Sequence, residues 1–169
     1  AVKVIGVVEP AVIKAVETTK NRKIGVIGTA GTIANGKYEK LIREKNPSIR
    51  TFSKACPLFV PLVENGLTHH EINRMVCKMY LEEVKENGVD TLILGCTHYP
   101  MLKDVISEFM GEEVALIDPG FETAHYVKRY LEGANLFNDI KTDGNHKYFV
   151  SDAVNGFEKS ANLFMNRDI

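Results

Sequence analysis

Apolar residues fall into short continuous runs, suited to strands buried on both faces, separated by longer segments in which they recur every three or four positions. The runs Val4 to Val8, Lys23 to Gly28, Ile49 to Ala55, Thr91 to Gly95, Val114 to Ile117 and His146 to Val150 predict strands. Helical spacing between them predicts an α/β fold with a parallel sheet. Thr68-His69-His70-Glu71 reads as a capping box, followed by Ile72, Met75, Val76, Met79 and Tyr80 on one helix face. Asp118 with Pro119 opens a helix whose apolar face is Ala124, Val127 and Leu131, and Ser151 caps another with Val154, Phe157 and Ala161. The segment Glu132 to Gly144 has the composition of a loop and marks a boundary. The βα unit beyond it cannot bury both faces of its strand alone, so it is expected to pack on the first strand or on another domain.

Composition narrows the class. With 169 residues, 44% hydrophobic, the chain can bury one sizeable core. Its 21 Lys and Arg against 22 Asp and Glu give a net charge of -1, which argues against nucleic acid or an anionic membrane as partner. No apolar run approaches the ~18 residues of a spanning helix, and no signal-type segment opens the chain, so a soluble, cytoplasmic protein is expected. Three cysteines without framework spacing, Cys56, Cys77 and Cys96, fit free thiols in a reducing compartment. The chain begins with Ala1, which suggests a fragment or a processed chain.

Candidate chemistry gathers at two strand ends. In Gly95-Cys96-Thr97-His98-Tyr99-Pro100 a buried strand runs into a turn, the place where open α/β sheets bind ligands. A thiol near the start of the following helix is drawn toward the reactive thiolate, and His98 could tune it or exchange a proton. The alternative is a structural cysteine beside a capping threonine and a satisfied histidine. Gly25-Val26-Ile27-Gly28-Thr29-Ala30-Gly31-Thr32 is a second strand-to-turn passage, where small residues let backbone amides approach carboxylate or phosphate oxygens. It lacks the Gly-Lys-Ser/Thr of a P-loop and reads equally well as a tight turn. His69 and His70 are adjacent, which disfavours a metal site, and no zinc or CxxC spacing occurs. Cys77 and Cys56 read as core, and Glu64 as either a solvated helix-end carboxylate or a group facing the site. What remains is metal-free thiol chemistry on a small acidic substrate.

Four motifs in order, Gly25 to Thr32, Ala55-Cys-Pro-Leu-Phe-Val-Pro-Leu-Val-Glu-Asn-Gly66, Leu94-Gly-Cys-Thr-His-Tyr-Pro100 and Ile117-Asp-Pro-Gly120, resemble the bacterial glutamate racemases of the aspartate/glutamate racemase superfamily. The likeness runs over nearly the whole chain and is faintest after Gly133. His98 matters within it, since the similar aspartate racemases usually carry Glu there. The resemblance implies three-layer parallel-sheet domains facing across a cleft, no cofactor, and one catalytic cysteine from each domain. It implies that Cys96 moves the α-proton of L- or D-glutamate, that His98 assists it, that Thr97, Thr29 and Thr32 hold substrate, and that Glu64 borders the site. Residues 1–9 would end the first domain, 10–117 form the second, and 118–169 return to the first. Neither Asp-Ser-Gly nor Cys-Asn-Thr, the family's first-domain motifs, occurs in the chain, so it is expected to be a C-terminal part with little activity alone. The first domain is then its expected partner, with self-association through the uncovered face. The competing readings are a racemase of aspartate or another acidic amino acid, and a non-catalytic ligand-binding or interaction half-domain.

Overall fold

A computed structural model describes residues 2–136, 138, 147–151 and 154–165. Four parallel strands, β1 (Lys23–Gly28), β2 (Arg50–Ala55), β3 (Thr91–Leu94) and β4 (Ala115–Ile117), form one sheet in the order β2-β1-β3-β4. The register sets Ile27 beside both Lys54 and Leu94, so the carboxyl ends of β1, β2 and β3 emerge together.

Period-two alternation splits the apolar residues into two cores, one on each face of the sheet. Ile27, Leu92 and Leu94 point toward α4 (Phe59–Glu64), α5 (Ile72–Glu86) and α6 (Lys103–Met110), packing with Phe59, Cys77, Leu81 and Ile106. Ile24, Val26, Ile93 and Ile117 point the other way, against Ala11, Val12 and Ala15 of α1 (Val8–Thr18) and Tyr38 and Ile42 of α3 (Lys37–Lys45). Helix α7 (Pro119–Gly133) lies against α1 on that side. The result is a three-layer α/β domain, as expected. Gly25 permits the close approach of α5, since a Cβ there would lie 2.7 Å from the Leu92 side chain and 2.9 Å from that of Val84.

Several expectations are corrected. Residues 2–6 form no strand; Val2, Val4 and Val7 are exposed and the chain becomes regular only at α1. Lys147 to Val150 likewise have no regular structure and lie exposed, while His146 is outside the described residues. Both segments carry strand-like composition but pair with no strand among the described residues. The capping box does not form: residues 68–71 are a turn, and α5 begins at Ile72, whose amide donates to His70 Nδ1 at 3.2 Å. The Asn73 side chain holds that turn by donating to the carbonyls of Leu67 and Thr68. The buried face of α5 is Val76, Cys77, Leu81 and Val84, whereas Ile72, Met75 and Met79 are exposed.

At α7 the cap is as expected, with Asp118 Oδ1 accepting from the amides of Gly120 and Phe121. Val127 and Leu131 are half-buried but Ala124 is exposed, and Glu132 and Gly133 are still helical rather than loop. The last helix, α8 (Val154–Met165), starts three residues past Ser151, which therefore does not occupy its N-cap. Phe157 and Ala161 are half-buried on it, and the side chain of Val154 lies outside the described residues. Among the described residues no helix is long and apolar enough to cross a membrane.

Candidate active site

The site is built at the end of β3. Gly95 donates its amide to the Ile27 carbonyl at 2.7 Å, and a Cβ on it would stand 2.7 Å from that same oxygen and 3.1 Å from the Tyr38 ring. Only glycine lets the chain press against the end of β1 and turn there. The turn continues through Cys96, Thr97 and His98 into a 3-10 turn, Tyr99–Leu102, ahead of α6. Buried Tyr99 anchors it: its hydroxyl donates to the Cys56 carbonyl at 2.8 Å, and its ring packs edge-on against Phe59.

This anchoring leaves Cys96 half-buried, with Sγ 3.9 Å from His98 Nδ1. On the opposite edge of the ring, His98 Nε2 lies 3.4 Å from Oε1 of Glu64, the last residue of α4. Thr97 is exposed, and its hydroxyl lies 3.3 Å from the same Nδ1. Thiol, imidazole and carboxylate thus stand in line. A ring that accepts at Nδ1 carries its proton on Nε2, facing Glu64, and such a ring can take the thiol proton while the carboxylate stabilises the resulting cation. The imidazole edge also meets an aromatic ring from the far end of the chain: Phe164 of α8 packs on His98 with centroids 5.5 Å apart and planes at 84°.

The Gly28 corner lies beside this one at the same sheet edge. Thr29 caps α2 (Ala30–Asn35), accepting from the Thr32 amide at 3.3 Å, and the two hydroxyls lie 3.0 Å apart. Both threonines are half-buried. The structure therefore brings Cys96, Thr97, His98 and Glu64 into direct contact and sets Thr29 and Thr32 on the adjoining strand end.

The other two thiols are different in kind. Cys56 and Cys77 are fully buried and free, and burial pushes both up to about 12, helped for Cys56 by Cys77 and for Cys77 by the Glu108 carboxylate. Tyr38, packed beneath Gly95, is also pushed up to about 12 by burial, with a smaller contribution from Cys96. Among the described residues no group of three or more His, Cys, Asp and Glu side chains is arranged to hold a metal ion. Sequence reasoning did not find Phe164 or Tyr38, because neither carries a local signal: one reaches the site from the last helix and the other from beneath it. It left the role of Glu64 open between solvent and site; the exposed carboxylate lies 3.4 Å from His98 Nε2.

A profile of the Asp/Glu/Hydantoin racemase family matches residues 2–127. The glutamate racemase of Geobacter metallireducens is 47% identical over 165 residues, 98% of this chain and 61% of the relative. That of Persephonella marina is 46% identical over 168 residues, 99% of this chain and 62% of its own length. Among solved structures, a glutamate racemase isoform from Bacillus anthracis superposes with a TM-score of 0.93 at 36% identity, covering 100% of this chain and 63% of that one. The glutamate racemase of Francisella tularensis, solved in complex with D-glutamate, gives 0.87 at 30% identity, covering 96% of this chain and 60% of that one. The chain thus spans about three fifths of the length of the relatives it matches. With the family profile covering the sheet and its site, the chain belongs to the Asp/Glu/Hydantoin racemase family.

Proposed function

We propose that this chain forms one catalytic wall of a glutamate racemase, with Cys96 as the acid–base group of that wall. The observation that carries the reading is the line Cys96, His98, Glu64 at the carboxyl edge of the sheet. His98 takes the thiol proton at Nδ1. The thiolate then removes the α-proton of glutamate: the Cα–H bond breaks, the S–H bond forms, and the electron pair is delocalised into the α-carboxylate. Thr97, Thr29 and Thr32 hold the substrate's oxygens, the last two from the neighbouring strand end. Reprotonation from the opposite face needs a second acid, which one wall cannot supply. The relatives' remaining length is the proposed source of it, as a first domain that residues 1–9 and 118–169 would join, with 10–117 as the domain carrying Cys96. That domain would also exclude water from the carbanion-like intermediate. The substrate is then L- or D-glutamate, no cofactor takes part, and the product is the D-glutamate of cell-wall peptidoglycan, made in the cytoplasm.

Alkylation of the native chain tests the assignment. Iodoacetamide should modify Cys96 and leave Cys56 and Cys77 intact, since buried thiols held up to about 12 carry almost no thiolate near neutrality. Glutamate should slow the reaction at Cys96. Modification at equal rates with and without glutamate, both for this chain and for the chain joined to a relative's first domain, would contradict the reading.

A further inference from the structure

We infer that Phe164 is a positioning residue for His98, so that the last helix of the chain forms part of the catalytic apparatus. This rests on the reading of Cys96 and His98 as an acid–base pair.

Among the described residues little else fixes the imidazole. Its partners at Nδ1 are Cys96 Sγ at 3.9 Å and the Thr97 hydroxyl at 3.3 Å, and the Thr97 contact alone would hold the ring in more than one orientation. Glu64 at Nε2 is itself exposed, so its carboxylate restrains the ring weakly. Among the described residues a further contact is the edge-to-face packing with Phe164, and that geometry is directional: it is lost if either ring turns about its χ2 axis. Phe164 is 40% exposed, so it is not there to fill the core. A large aromatic left this open, with its described ring contact made to the imidazole of the proton relay, is better explained by what it does to that ring than by its own burial. The contact removes water from one side of the imidazole and favours the orientation with Nδ1 toward Cys96 and Nε2 toward Glu64.

The groups that could confuse a titration are few. Glu64 faces Nε2, while Tyr38 and Tyr99 pack near Cys96 and burial pushes both of them upward, so neither ionises in the range where the thiol would be followed.

The test is the pH dependence of Cys96 alkylation by iodoacetamide, read by peptide mass, in the unmodified chain and in Phe164→Ala, Phe164→Leu, Phe164→Tyr and His98→Ala. Loss of positioning raises the midpoint of the profile, whereas simple unmasking of the thiol raises only its high-pH plateau. Phe164→Ala and Phe164→Leu should move the midpoint up by about 0.3 to 1 pH unit, the two- to tenfold effect of one aromatic pair. Phe164→Tyr should match the unmodified chain, and His98→Ala should shift furthest. Folding is controlled within the same experiment, because Cys56 and Cys77 stay unmodified only while the core is intact. Midpoints for Phe164→Ala and Phe164→Leu that coincide with the unmodified chain, while His98→Ala shifts, would overturn the inference alone. A His98→Ala profile that coincides with it would overturn the relay itself and the inference with it.

Discussion

Two corners of this molecule lie side by side at the carboxyl edge of the sheet and begin alike, with a glycine followed by polar residues. At the Gly28 corner the hydroxyl of Thr29 is turned back on its own backbone, capping α2. At the Gly95 corner the side chains are not consumed in this way: Cys96 and Thr97 both lie against His98, which also meets Glu64, while the Gly95 amide bonds the Ile27 carbonyl and the Tyr99 hydroxyl ties the turn to the Cys56 carbonyl. A strand end becomes reactive when other parts of the fold satisfy its backbone and leave its side chains available. On the proposed reading the first corner serves as a preformed rim and the second as the place where a proton moves.

The glycines offer the sharpest way to break that contrast. Gly95→Ala puts a methyl group 2.7 Å from a backbone oxygen that cannot move aside, so a loss of about 3 kcal/mol is expected, measured as a fall in the urea midpoint. Gly28→Ala meets side chains rather than backbone, Thr32 at 3.0 Å and the end of Ile33 at 3.3 Å, which need give by only a few tenths of an ångström, and the reduced freedom of the unfolded chain offsets part of the strain. That variant should stay within about 1 kcal/mol of the parent, the scale of a compatible glycine replacement. Equal effects at the two positions would remove the distinction between the corners.

The threonines give a smaller difference of the same kind. Thr29→Ala should cost about 1 kcal/mol through loss of the cap, while Thr97→Ala, exposed and within reach of His98, should stay within about 0.5 kcal/mol in stability. Thermal melts of the two variants under one set of conditions provide the comparison.

Alkaline pH sharpens the contrast between the core and the site through the two buried thiols. Burial raises the folded-state values of Cys56 and Cys77 to about 12. Above the unfolded thiol value of about 8.5, the unfolded chain has lost protons that the folded chain keeps, so stability falls as pH rises. The loss should be somewhat under ~1 kcal/mol per thiol by pH 9 and continue toward 12. Tyr38 adds to it above about 10. A melting temperature that rises between pH 8 and 10 would contradict this sign.

Much of this architecture was legible in the sequence, for physical reasons that also explain the misses. Strands β1, β3 and β4 were readable because each is a short apolar run bounded by a turn, whereas β2 carries Arg50, Ser53 and Lys54 and has no fully buried residue. The runs at Val4 and at Lys147 have similar composition but no partner strand among the described residues, and pairing is not a property of a segment alone. The phase of α5 was misread because Ile72, Met75 and Met79 also satisfy helical spacing, and Val76 belongs to both candidate faces. The capping box failed because the Asn73 side chain holds the preceding turn in another form, a tertiary effect no four-residue pattern carries. The strand-end thiol, threonine and histidine were visible as neighbours in sequence. Their carboxylate partner was visible only as a candidate, and the aromatic ring on His98 not at all, because folding rather than spacing brings them together.

The central claim is that Cys96 is an acid–base group for the α-proton of glutamate. Incubating the chain, joined to the first domain of a relative, with L- and then D-glutamate in D2O and following the α-proton by NMR tests it most directly. The account predicts that, for the enantiomer whose α-proton Cys96 removes, exchange falls by about 10²-fold or more in His98→Ala and disappears in Cys96→Ala, while the opposite base still exchanges the other enantiomer. Exchange of both enantiomers that persists undiminished in Cys96→Ala would contradict it.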